Sequence, residues 1–84
     1  MEEDLTSNIG FIMGNKQRQR IVQVLGSKGK MALEKIAKVE HLPLPPVKKL
    51  LDEMAKRKIV SEEGGVWSLT ESGLEIEKEM KKRA

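Results

Sequence analysis

Cysteine is absent from this 84-residue chain, which excludes disulfides and thiolate metal sites. No apolar run approaches the ~20 residues a helix needs to cross a bilayer, and no internal repeat or low-complexity tract is present. There is no phosphate-cradling loop and no cluster of metal-ligating residues, and the single histidine, His41, has no evident triad partner. Neither an enzyme nor a bound metal or cofactor is expected. The start, residues 1 to 4, is acidic, unlike the basic start of a signal peptide. A cytoplasmic protein with no membrane partner is the expectation.

Hydrophobic residues make up 38% and charged residues 35%, with the apolar positions recurring periodically. That is the signature of one folded, highly charged domain, small enough that a partner subunit often adds stability. The net charge of +3 is unevenly spread. Residues 14 to 58 carry 12 Lys or Arg against 4 Asp or Glu, while residues 1 to 13 sum to −3 and residues 59 to 84 to −2. A basic middle between acidic flanks suits a face presented to a polyanion, and equally a solvated lysine-rich surface.

Leu5, Ile9 and Ile12 fall at helical spacing, so residues 1 to 13 form an arm or a short helix. Asn15 suits an N-cap for a first firm helix over residues 16 to 25, with Arg18, Ile21, Val22 and Leu25 inward and Gly26-Ser27-Lys28-Gly29 ending it. Met31-Ala32 reads as a short extended stretch, and Leu33, Ile36 and Ala37 mark a second helix over residues 33 to 39. The prolines at 43, 45 and 46 break that helix and open a third, running to about residue 58. Its Val47, Leu50, Leu51 and Met54 lie at i, i+3, i+4, i+7.

The period then changes. Ile59-Val60-Ser61-Glu62 and Val66-Trp67-Ser68-Leu69, separated by Glu63-Gly64-Gly65, read as a β-hairpin. Thr70 or Ser72 caps a last helix to about residue 83, with its acids leading and its bases trailing, as the helix dipole favours. The expected fold is mainly α with a small hairpin: a three-helix core, a two-stranded wing and a C-terminal helix over residues 14 to 84. That is the winged helix-turn-helix arrangement, in which one face of the third helix is free to enter a major groove.

Particular stretches carry a family resemblance. Gly14-Asn15-Lys16-Gln17-Arg18-Gln19-Arg20-Ile21-Val22 is similar to the first-helix signature of ArsR-like regulators. The run from Leu50 through Ile59-Val60, then Gly64-Gly65 and Trp67-Ser68-Leu69-Thr70-Glu71-Ser72-Gly73, resembles the recognition-helix-to-wing region of ArsR-like and MarR-like proteins. Its most specific part is Leu69-Thr70-x-x-Gly73, and the likeness spans about residues 14 to 80. The resemblance implies a DNA-binding transcription regulator acting as a dimer. Two departures stand out. The wing tip, Ser61-Glu62-Glu63-Gly64-Gly65, is acidic where such wings often carry Arg or Lys, and Leu44-Pro45-Pro46 replaces the polar start of a base-reading helix.

The candidate DNA contacts are Lys48, Lys49 and Lys56 on the third helix, then Arg18, Lys28 and Lys30, with Lys16 and Arg20 also basic. Gly64 and Gly65 belong to the same candidate face at the wing tip, chiefly for turn geometry. Lysines there supply salt-dependent attraction through counterion release. The alternative for the helix is a solvated face on which Asp52 pairs with its lysine neighbours. Arg18 has a structural alternative, since it shares the inward stripe, and Trp67, the only tryptophan, is expected to pack against the domain. The N-terminal segment and last helix carry apolar residues on more than one side, so they either form a two-fold dimer interface or fold back on the core. The competing functions are a winged-helix protein-interaction module, which the acidic wing and Leu44-Pro45-Pro46 suit, and a general chromatin- or RNA-associated protein with little sequence preference.

Overall fold

The computed structural model describes residues 5–83. The acidic start at residues 1–4 lies outside them. Elements follow in the order α1 (Leu5–Met13), α2 (Lys16–Lys28), β1 (Lys30–Ala32), α3 (Leu33–Glu40), α4 (Leu44–Lys56), β2 (Val60–Glu63), β3 (Val66–Leu69) and α5 (Glu71–Arg83). The first segment is therefore a helix, and its Ile9 and Ile12 are buried.

Asn15 caps α2 as its side chain predicts. Its Oδ1 accepts from the backbone N–H of Gln17 at 2.8 Å and of Arg18 at 3.1 Å, satisfying two donors that an uncapped helix leaves open. The helix does not stop at Leu25 but continues to Lys28. The reason is tertiary: α5 packs on α2 here, and a methyl group at position 26 would lie 2.6 Å from Glu77 Cδ. Gly26 makes room for the Glu77 carboxylate rather than ending the helix, and Gly29, at φ 91°, is the terminator.

Both helices of the central pair end without glycine. His41 sits in the left-handed region at φ 58°, with its N–H on Lys38 O and the Leu42 N–H on Ala37 O. Lys58 repeats the arrangement at φ 63°, with its N–H on Ala55 O and the Ile59 N–H on Met54 O. These are Schellman closures, and at the second the usual apolar contact falls to Ile59 and Met54, both fully buried. α4 accordingly ends at Lys56, two residues before the expected limit. Its first turn is Leu44-Pro45-Pro46, where missing N–H groups leave no bond unmade.

Met31-Ala32 is more than an extended stretch. It lies in a third strand, giving an antiparallel sheet of order β1-β3-β2 in place of a two-stranded hairpin, with Met31 opposite Trp67 and Glu62 opposite the same tryptophan on the other side. Gly64 and Gly65 have φ of 60° and 84°, the two positive values of a type I′ turn. The core gathers Ile12, Ile21, Val22, Leu25, Ile36, Val47, Leu51, Met54, Ile59 and Ile76, each nearly or fully excluded from water. Burial contributes about 1.5–3 kcal/mol for each such side chain.

The Leu69-Thr70-x-x-Gly73 element joins the end of α4 to the start of α5. The Thr70 N–H donates to Ile59 O at 3.0 Å, and its hydroxyl lies 2.6 Å from Lys58 O while accepting from the Gly73 N–H at 3.1 Å. Thr70, not Ser72, is thus the cap. A Cβ on Gly73 would collide with Ile59 O, so only glycine allows the two segments to approach this closely.

α1 and α5 pack against each other within one chain, with Ile9, Ile12, Ile76 and Met80 buried. Leu5, Met13 and Leu74 remain exposed. Among the described residues no helix is long and apolar enough to cross a membrane, and no group of three or more His, Asp or Glu is placed to hold a metal ion.

Candidate nucleic-acid interface

The apolar stripe of α4 faces the core, with Val47, Leu51 and Met54 fully buried and Leu50 nearly so. Residues advance about 100° each around a helix, so the opposite row runs Pro45, Lys49, Asp52, Lys56. Lys49 and Lys56 are exposed and make no ion pair among the described residues. Lys48 is exposed too, but its ammonium bridges both Asp52 oxygens, at 2.9 and 3.0 Å. Its charge is locally answered, as the solvated-face alternative required.

Arg18 sits at the other side of α4, half-buried. Its Nη1 donates to the Phe11 carbonyl at 3.0 Å, its Nη2 lies 3.4 Å from Glu53 Oε1, and its guanidinium carbon is 3.9 Å from the Phe11 ring centroid. Arg57 stacks on that ring at 4.0 Å and reaches Asn8 Oδ1 at 3.3 Å. Two guanidinium groups at this height cannot share one face of a phenyl ring, so they hold it between them. Arg18 is committed to tying α1 to α2 and α4, and the structure does not present it on the outer row. Nothing in the sequence spacing marks Phe11 as its partner, except that it is the only phenylalanine and falls beside buried Ile12.

Lys28 and Lys30 flank Gly29 and are exposed, Lys28 in the last turn of α2, where the helix dipole favours a cation. Lys30 pairs in register with Ser68. Side chains alternate across a strand, so Lys30, Ser68 and Ser61 lie on one face of the sheet and Met31, Trp67 and Glu62 on the other. The second face turns to α4. The structure thus brings Lys49 and Lys56 together on one row and leaves Lys30 on the far side of the sheet. Lys16 and Arg20 are exposed on α2, and Lys35 and Lys38 are exposed on α3. The α3 pair adds exposed positive charge beside the candidate lysines of α4, and its i, i+3 spacing on the preceding helix is the signal that marks it in the sequence.

Between the start of α3, α4 and the hairpin lies a shallow hollow of about 310 Å³, lined by Leu33, Glu34, Lys48, Asp52, Glu62, Gly65 and Trp67. Three carboxylates face one lysine there. Trp67 is 4% exposed, packed against the domain as expected. At the tip, Glu62 Oε2 accepts from the Gly65 N–H at 2.6 Å, so this carboxylate also holds the turn, whereas Glu63 is simply exposed.

Glu40, at the end of α3, is half-buried with Oε1 lacking a hydrogen-bond partner. Burial pushes its carboxyl above the usual glutamate range, against the opposing pull of Arg20 and then His41. The His41 side chain is exposed in the turn. The chain matches no protein-family model, and no curated protein is significantly similar to it.

Proposed function

We propose that this protein is a winged helix-turn-helix regulator that binds duplex DNA through the outer row of α4, as the ArsR-like and MarR-like resemblance implies. The observation that carries the proposal is the row itself: Lys49 and Lys56 project from a helix whose other face is fully sunk in the core, and neither is spent on an ion pair among the described residues. The element order supports it. α3 and α4 are joined by residues 41–43, and a hairpin with a type I′ turn follows directly. A major groove is roughly 12 Å wide and admits one helix. Lys48 and Lys28 are peripheral contributors, Lys30 on the far face of the sheet is not part of this contact, and Gly64 and Gly65 shape the wing tip.

α1 and α5 are the surface proposed for two-fold pairing, through exposed Leu5, Met13 and Leu74. Sedimentation at roughly tens of micromolar, where weak association saturates, separates the dimer from a monomer in which the two helices only cover their own core.

A second function is favoured by one feature. The hollow beside α4 holds Glu34, Asp52 and Glu62, and carboxylates there oppose phosphate, which suits a protein-interaction module instead. Titrating labelled duplex DNA at graded salt decides between them. DNA binding gives a log–log slope steeply negative in salt; absence of binding at low salt leaves the interaction module.

A further inference from the structure

The first turn of α4 presents no hydrogen-bonding side chain. Pro43 precedes the helix without a side-chain cap, and Leu44, Pro45 and Pro46 are all exposed, Leu44 to 42%. An exposed leucine beside three prolines leaves apolar surface in water at the end of the helix that, in a helix-turn-helix complex, contacts base edges. Pro45 leads at i+4 to Lys49 and, a further two turns on, to Lys56 along the outer row, while Leu44 stands beside that row, one turn before the Lys48–Asp52 ion pair. The apolar turn therefore heads a row in which Asp52 is answered by Lys48 and the ammonium groups of Lys49 and Lys56 have no ion pair among the described residues, which complements a polyanion rather than a neutral apolar partner.

The floor of a major groove offers one apolar feature between its phosphate walls, the 5-methyl group of thymine. We propose that Leu44 and Pro45 are specificity-determining residues that pack on thymine methyl groups while Lys49 and Lys56 engage the flanking phosphates. Thymine recognition presupposes the duplex binding proposed above and adds its base preference. It also accounts for the missing polar start of α4: amide and hydroxyl side chains read donors and acceptors, whereas a methyl group needs only a dry apolar contact.

Two labelled duplexes test this, one of alternating A·T pairs and one in which deoxyuridine replaces every thymidine. Their hydrogen-bonding edges are identical and only the methyl groups differ. The wild type should bind the thymidine duplex at least about fourfold more tightly, the effect of burying one methyl group. Leu44→Ala/Pro45→Ala, which alters only exposed positions, should bring the ratio close to one. Lys49→Ala should weaken binding to both duplexes in equal proportion and keep the ratio. Equal affinity of the wild type for both duplexes would overturn thymine recognition while leaving duplex binding intact. A ratio that persists in Leu44→Ala/Pro45→Ala would also overturn it, by assigning the preference to duplex shape. Binding to neither duplex would remove both proposals together.

Discussion

The Arg18 guanidinium lies 3.9 Å over the Phe11 ring and at the same time donates to the Phe11 carbonyl at 3.0 Å. One residue of α1 is thus held by both its side chain and its backbone. Phe11→Leu keeps the bulk and removes the ring, so it should lower stability by about 1 kcal/mol or somewhat more, since two partly desolvated cations lose their π partner. Arg18→Lys should also destabilise, because an ammonium cannot make the carbonyl, carboxylate and ring contacts together. Urea unfolding measures both. Arg18→Gln, which removes the charge, should leave the salt slope of the proposed DNA binding unchanged; a slope shallower by about 0.9 would place Arg18 on the DNA instead.

Thr70 and Gly73 fix where the hairpin stands relative to α5. Thr70→Val removes the hydroxyl that caps α5 and bonds Lys58 O, and should destabilise by about 1–2 kcal/mol. Gly73→Ala should do more harm than an ordinary helical Gly→Ala change, which usually stabilises, because the new methyl meets Ile59 O. Thermal melts of the two variants check the order, and a stabilised Gly73→Ala would contradict the close approach.

The carboxylates at the hairpin tip act differently from one another. If the hairpin tip lies against the duplex as proposed, Glu63→Gln should tighten binding with little change in stability, since Glu63 is exposed and holds nothing in the turn. Glu62→Gln removes the same charge but weakens the bond to the Gly65 N–H, so any gain in binding should come with a small loss of stability. Paired titrations and melts separate the two effects.

Glu40 gives the protein a pH-dependent weakness. Its carboxyl is raised in the folded state by burial, so the folded state holds its proton to higher pH than the unfolded chain does. Its contribution to stability is present below the ordinary glutamate range and is lost as pH rises through the raised folded value. Glu40→Gln should therefore raise the melting temperature at neutral pH, and the advantage should fade as the pH falls below the glutamate range. An advantage independent of pH would point to packing rather than charge.

Much of this architecture is legible in the chain. The α4 stripe, the Asn15 cap, the glycine turn and the Thr70 cap are local patterns, and each appears where its chemistry places it. The differences arise where a distant partner decides. Gly26 looks like a helix terminator until Glu77 of α5 is seen packed against it. Met31-Ala32 is too short to announce a strand, and becomes one only because β3 lies alongside. On α4, the helical spacing offered Asp52 its lysine neighbours as alternative partners and the structure pairs it with Lys48, but the engagement of Arg18 with Phe11 and Glu53 joins three segments that no sequence period connects.

The most direct measurement is the salt dependence of duplex binding by the wild type and by Lys49→Ala/Lys56→Ala, side by side. Each phosphate contact contributes about 0.9 to the log–log slope. If the outer row of α4 is the DNA-contacting face, the double variant should bind more weakly with a slope shallower by about 1.8 and an unchanged melting temperature. An unchanged affinity and slope would show that the face of α4 opposite Val47, Leu51 and Met54 does not touch DNA.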